Sequence, residues 1–296
     1  MILIAGGTGT LGRRVVRLLT ARGLDVRILT RDPARAAHLV GEGIEIATGD
    51  VRDPGSVARA MAGVQAVISA IQGFNGTGGD SPETVDRAGN GALMRAAREA
   101  GVGHFVLVSV QGAAPDHPLD LFRAKYRAEQ ELRASGLAWT ILRPTASMET
   151  WAQLIGKPLV EAGKTRIFGR GDNPINFVAA DDVAQFVELA VVDPALRGAV
   201  VEVGGPENLT FRQFARTFQT VTGKMGAISH VPLPAMRALA VLLRPVNPTI
   251  ARQIRAGVVM DTRDMTFDPT ETARRYPTIA PTPLAHVVAL DYGEDR

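Results

Sequence analysis

Four glycines, Gly6, Gly7, Gly9 and Gly12, follow the short apolar run Ile2–Ala5 and lead into Leu11, Val15, Leu18 and Leu19 at helical spacing. Strand, glycine turn and helix in that order suit phosphate chemistry. Glycine lets the backbone turn sharply and approach a pyrophosphate, and a helix start offers unpaired N–H groups and positive dipole. Gly7, Gly9 and Gly12 spell G-x-G-x-x-G, while Gly6, Gly9 and Gly12 spell G-x-x-G-x-x-G. A second strand-like run at 24–30 closes a βαβ unit, the context that a bare glycine match lacks. Gly6, Gly9, Thr10, Leu11 and Gly12 are therefore the expected dinucleotide contacts. The end of the second strand should read the ribose, an acid suiting a 2′-hydroxyl and an arginine a 2′-phosphate. Arg31 follows Thr30 there, and Asp32 stands before Pro33, where it reads as a helix cap. NADP(H) is favoured over NAD(H), with Arg31 as the phosphate contact. A solvated loop arginine is the plain alternative.

These residues need a frame to hold them, and the chain of 296 residues is long enough for one large α/β domain or two smaller ones. Hydrophobic content of 46% and charge of 21% are ordinary globular values. The net charge is +3 with no basic block, so nucleic acid is not an expected partner. The absence of cysteine removes disulfides, thiolate metal sites and cysteine nucleophiles, and the five histidines lack ligand spacing, so no metal is expected. The longest apolar run, 238–243, is too short for a bilayer. Ile2 already lies in the first strand, leaving no room for a signal peptide, and the expected location is cytoplasmic.

Strand and helix patterns alternate through the first half, which argues for a parallel sheet. Strands are expected at 2–5, 25–30, 44–48, 66–70, 104–109 and 139–142, and later at 176–179 and 199–203. Asp32-Pro33, Asp53-Pro54 and Ser81-Pro82 read as N-caps followed by proline, and Gly23 and Gly101 as helix ends. Residues 73–80 (GFNGTGGD) form an expected flexible loop. After Pro144 the alternation fades, apart from a helix from Asp182 onward, a capping box at Thr210–Gln213 and an apolar helix over 235–243. The expected architecture is α/β, a doubly wound parallel-sheet Rossmann fold with a smaller C-terminal α/β cap. The dinucleotide-binding domain covers 1–145, with 176–206 returning to it. Segments 146–175 and 207–296 form the substrate cap, over the sheet's carboxyl edge.

Several segments in order resemble the atypical short-chain dehydrogenases/reductases of the NmrA-like, NAD(P)H-binding branch. They are GGTGTLG at 6–12, LTRDPARA at 29–36, GDVRD at 49–53, AGVGHFVLVSVQGA at 100–113, KYRAEQELRASGLAWTILRP at 125–144, FVAADDVA at 177–184 and VGGPENLT at 203–210. The resemblance implies that Asp50 and Val51 flank the adenine and that Ala70 and Ile71 line the cofactor. It also implies that Lys125 binds the nicotinamide ribose and that Pro144 and Thr145 face the nicotinamide amide. Asp182 fits a helix N-cap. Many relatives carry Tyr-x-x-x-Lys; here Leu121 stands four before Lys125, and Tyr126 points away from the lysine's face. Ser109, ending the fifth strand, is then the residue left to hydrogen-bond a substrate oxygen, with Lys125 as the other catalytic candidate. His117 reads as a surface-loop histidine.

Without the tyrosine, hydride addition to a simple ketone lacks its proton, whereas a quinone gives a phenolate whose conjugate acid has a pKa near ~10. The expected activity is therefore NADPH-dependent reduction of a quinone or another conjugated, electron-poor small molecule. Phe74, Met148 and Trp151 would line its pocket, or serve as ordinary core. The other reading is a non-catalytic NADP(H)-binding redox sensor or assembly factor. Neither requires a membrane or nucleic acid, and the resemblance allows a monomer or homodimer.

Overall fold

A computed structural model describes residues 1–76 and 79–293; Thr77 and Gly78, within the expected loop at 73–80, lie outside them. The chain opens with β1 (Ile2–Ala5), α1 (Thr10–Ala21), β2 (Val26–Thr30), a 3-10 turn (Pro33–Leu39), β3 (Ile44–Thr48), α2 (Pro54–Ala60) and β4 (Ala66–Ser69). A π-helical stretch, Pro82–Gly89, then runs into α3 (Asn90–Glu99), followed by β5 (His104–Val108), α4 (Asp120–Arg133) and β6 (Trp139–Pro144). Next come β7 (Ala146–Ser147), α5 (Met148–Trp151), α6 (Lys157–Ala162), β8 (Lys164–Phe168), β9 (Ile175–Val178), α7 (Ala180–Val192) and β10 (Val200–Val203). The remainder is β11 (Asn208–Leu209), α8 (Phe211–Thr222), β12 (Ala227–Val231), α9 (Leu233–Leu242), α10 (Pro248–Thr262), α11 (Thr270–Arg275) and α12 (Leu284–Tyr292).

Two compact units divide this chain: Met1–Pro144 with Val183–Glu202, and Thr145–Asp182 with the residues from Val203 on. The first holds a seven-stranded sheet in the order β10-β6-β5-β4-β1-β2-β3. From β3 to β6 the neighbours pair in parallel, with Ile4 opposite both Ile28 and Ile68. This is the Rossmann-type α/β arrangement, with order reversing at β1 and β4. Its central strands β1, β4 and β5 are buried on both faces, so they read as continuous apolar runs instead of alternating ones. Leu3, Leu29, Val67, Phe105, Leu107 and Ile141 pack with Val57, Leu93, Ala97 and Leu132 of the helices.

Sequence signals at the element ends hold closely. Asp32 and Asp53 accept from Ala34 N and from Gly55 and Ser56 N, while Ser81 and Thr84 form a reciprocal capping box. Gly23 and Gly101 end their helices at φ +72° and +68°. The second unit has a three-stranded sheet, β11-β9-β7, and a parallel pair, β12-β8. Its core is aromatic, Phe177, Phe211, Phe214 and Phe218 packing on Ile155, Leu159 and Ile167. The expected capping box at Thr210 and Gln213 opens α8, and α9 begins two residues ahead of the expected helix. The helix expected from Asp182 starts at Ala180, whose N–H donates to buried Glu149. Asp182 is consequently not an N-cap. It accepts from Thr282 N and Oγ1 at 2.7 and 2.6 Å, tying the first turn of α7 to the C-terminal segment. Among the described residues no helix is long and apolar enough to cross a membrane.

Candidate functional site

The glycine turn is built by close backbone approach. Gly6 has φ +90°, and a Cβ there would fall 2.6 Å from Ala70 O, so the turn rests on the end of β4. A Cβ on Gly12 would fall 2.1 Å from Gly6 O, so α1 rests on the turn. Gly9 is the N-cap of α1, without a side-chain cap and with no acid in the first turn. The N–H groups of Thr10, Leu11 and Gly12 therefore begin the helix without a local anion to neutralise its positive pole. A Cβ on Gly9 would meet only Gly6 O, at 3.3 Å. These features fit the pyrophosphate of a dinucleotide: an uncapped helix end, glycine where the ligand must approach, and a first turn without a carboxylate.

Past β2 and β3 lies a charged group. Arg31 is exposed and donates from Nη1 to both oxygens of Asp80, at 3.0 and 2.8 Å. Asp50 accepts from the backbone N–H of Arg52 at 2.9 Å and from its guanidinium, with Nη2 at 2.6 Å. The Arg52 hydrogen bonds hold the Asp50 carboxyl below its ordinary value. Val51 lies against Gly89, where a Cβ would come within 2.8 Å of Val51 Cγ2. Sequence reasoning reached Arg31 and Asp50 and missed Arg52 and Asp80.

Lys125 is 3% exposed, and three acceptors surround its ammonium. Nζ donates to Ile71 O at 3.0 Å and Val108 O at 2.9 Å, and lies 3.1 Å from Asp86 Oδ1. An ammonium has three N–H groups. Lys125 thus joins the segment after β4 and the last residue of β5 to the π-helical stretch, and a contact to a ribose hydroxyl requires it to release one of these partners. Asp86 Oδ2 accepts from Gly73 N at 2.8 Å. Burial pushes the Asp86 carboxyl up while Lys125 pulls it down. One turn on, Asn90 accepts from Ser69 Oγ and donates to Asp86 O, both at 2.6 Å.

Ser109 is engaged too. Its hydroxyl donates to Glu129, a carboxylate 0% exposed, which also accepts from Arg143 Nε at 2.9 Å and Nη2 at 2.6 Å. Ser109 Oγ thereby presents lone pairs, not a proton, to any further partner. Leu121, four residues before Lys125, is buried. The signal for Glu129 was present: it shares the buried stripe of α4 with Leu121, Lys125, Ala128 and Leu132, and a charge pair on an apolar stripe demands partners. His117 stacks on Phe122 with centroids 3.9 Å apart, and its Nδ1 accepts from Leu119 N.

Pro144 O accepts from Gln111 N at 2.9 Å, so β6 and the residues after β5 stay joined beyond the ladder. In the second unit, Thr145 donates to Asn176 Oδ1 at 2.9 Å and its N–H to Val203 O. Met148, 1% exposed, belongs to the aromatic core, and Trp151 packs on Phe211 at 4.5 Å. Phe74 is half-buried in the first unit.

The model of a family described as NAD(P)H-binding matches residues 6–194. An NAD(P)H azoreductase of Xenophilus azovorans is 32% identical over 224 residues, 76% of this chain and 74% of that protein. The photosystem II assembly factor Ycf39 of Synechocystis sp. is 29% identical over 80% of this chain and 72% of its own. Among solved structures, an NADPH-dependent quinone oxidoreductase of Escherichia coli in complex with NADPH superposes with TM-score 0.78. At 24% identity, it covers 98% of this chain and 99% of its own, a likeness of fold.

Proposed function

Because this chain belongs to the NAD(P)H-binding family, we propose that it is an NADPH-dependent reductase of a quinone or another conjugated, electron-poor acceptor. One observation carries the choice of acceptor. Leu121 is buried in the tyrosine's place and the Ser109 proton is given to Glu129. A proton for a strongly basic alkoxide is therefore not offered here, and an acceptor whose reduced anion is delocalised does not need one in the transition state. When bound, NADPH supplies the hydride. The names of the azoreductase and the quinone oxidoreductase agree with acceptors of this kind.

This chain's own residues would bind and orient. Gly6, Gly9, Thr10, Leu11 and Gly12 hold the pyrophosphate, Arg31 the 2′-phosphate, and Asp50 and Val51 the adenine side. Ala70, Ile71, Pro144 and Thr145 line the nicotinamide half. Lys125 acts there mainly by fixing the Ile71 and Val108 carbonyls, and Ser109 accepts a hydrogen bond. Phe74 is the first unit's candidate for apolar contact with substrate, whereas Met148 and Trp151 are accounted for by the core of the second unit.

The test is loss of reduced-nicotinamide absorbance with a panel of quinones, azo dyes and enones. Turnover with these and none with simple ketones is expected. NADPH binding without turnover on any acceptor would replace this reading with a non-catalytic binder or assembly factor, to which the likeness to Ycf39 also points.

A further inference from the structure

Beyond β2 and β3, two guanidiniums and two carboxylates form one cluster. Asp80, from the segment after β4, accepts from Arg31 Nη1 with both oxygens, and its Oδ1 lies 3.0 Å from Arg52 Nη1. Asp50 takes the other edge of Arg52, with Nε 3.1 Å from both oxygens and Nη2 2.6 Å from Oδ2, and lies 4.0 Å from Arg31. The Asp80 side chain is 9% exposed, against 54% for Arg31 and 34% for Arg52. The carboxylate is thus the buried member, wedged between cations that face solvent.

The cluster's charges sum to zero. A neutral cluster is a weak anchor for a phosphate dianion, although two arginines at the adenosine end of such a fold are what a 2′-phosphate calls for. Asp80, a planar anion, lies between the guanidiniums and takes N–H groups that a phosphate held by these arginines would also need. The acid that reads a ribose hydroxyl in NAD-specific chains stands at the end of the second strand. The acid that follows β2 here is Asp32, and its carboxylate is engaged in accepting from Ala34 N.

We propose that Asp80 is a specificity-determining residue, an internal anion that competes with the 2′-phosphate of NADPH for Arg31 and Arg52. It holds down this chain's preference for NADPH over NADH. The proposal rests on the NADPH reading above and adds Arg52 as a second phosphate anchor. Binding of NADPH costs the loss of the Asp80 contacts, whereas NADH leaves them in place.

Dissociation constants for NADPH and NADH, measured by fluorescence titration on the full chain, test this. Asp80→Asn should raise the NADPH preference about three- to tenfold, almost all through tighter NADPH, and the gain should shrink at high salt. Asp80→Ser, which removes the charge with a different side chain, should shift the preference the same way. Arg52→Gln should weaken NADPH and leave NADH nearly unchanged. An unmoved or reduced preference in both Asp80 variants, with NADPH still bound by the wild type, overturns the role of Asp80 alone. Failure of the wild type to bind either nucleotide overturns the NADPH reading together with it.

Discussion

At the scale of single residues, the buried polar groups have states that their neighbours dictate. Thr140 Oγ1 donates to Leu196 O at 2.8 Å, so it must accept from His104 Nε2, 2.9 Å away. His104 therefore carries a proton on Nε2, which fixes the tautomer of its neutral form. Burial, and then the charge of Arg197, push its pKa down to about 4. The unfolded chain titrates near ~6.5. As pH falls from about 6.5 to about 4 the unfolded state takes up a proton that the fold refuses, and about 3 kcal/mol of stability is lost. Urea denaturation across that window should show the loss, and His104→Gln should lack it; an identical slope in the variant would refute the assignment. Lys125 makes a second case. Lys125→Met leaves the Asp86 carboxylate buried without its ammonium, at a cost of about 3–5 kcal/mol. Adding Asp86→Asn removes that charge while keeping an acceptor for Gly73 N, and should recover most of the loss. A single variant within about 1 kcal/mol of wild type in denaturant midpoint would mean that the pair does not hold the strand ends together.

At the scale of elements, the first turn separates folding from binding. Gly12→Ala puts a Cβ 2.1 Å from Gly6 O and 2.6 Å from Gly7 Cα, both backbone, so α1 must lift off its turn. A cost above about 2 kcal/mol is expected in a thermal or denaturant melt. Gly9→Ala has an ordinary φ of −80° and meets only Gly6 O at 3.3 Å. It should cost only about 1 kcal/mol in the same melt, the expected penalty of alanine for glycine at an N-cap, yet weaken NADPH about tenfold, because its methyl stands where a pyrophosphate must approach. A Gly9→Ala protein with wild-type affinity would place the ligand elsewhere. The strand–turn–helix order around these glycines was plain in the residues because every local signal agreed. The apolar runs, the Asp-Pro caps and the glycine helix ends lie next to one another in sequence. The short strands β8 and β12 escaped for the opposite reason: KTRIF and AISHV mix polar and apolar residues, and only pairing with each other defines them. The Arg52–Asp80 and Ser109–Glu129 contacts escaped because they join residues 28 and 20 positions apart through tertiary structure alone. The π-helical stretch that carries Asp86 looked like an ordinary capped helix, since its Ser81-Pro82 start is the same for both.

At the scale of the whole molecule, the chain passes between its two compact units three times, after Pro144, Asp182 and Glu202. None of these crossings is a spacer between elements: the first lies at the end of β6, the second runs through α7 and the third falls inside β10. A unit assembled from two pieces of chain cannot form until the intervening segment has been made, so neither should unfold independently of the other. The two tryptophans allow this to be measured. Trp139, in β6, has the Arg133 guanidinium 5.1 Å from its ring centroid and reports the first unit. Trp151 packs on Phe211 and reports the second. In Trp139→Phe and Trp151→Phe proteins the remaining fluorophore should give the same denaturant midpoint. NADPH at about 100 times its dissociation constant should raise both midpoints, by the equivalent of about 2.7 kcal/mol of unfolding free energy, although every proposed contact except Thr145 lies in the first unit. If NADPH moved the Trp139 transition and left the Trp151 transition in place, the units would be energetically separate, and the three crossings would be connections without cooperativity.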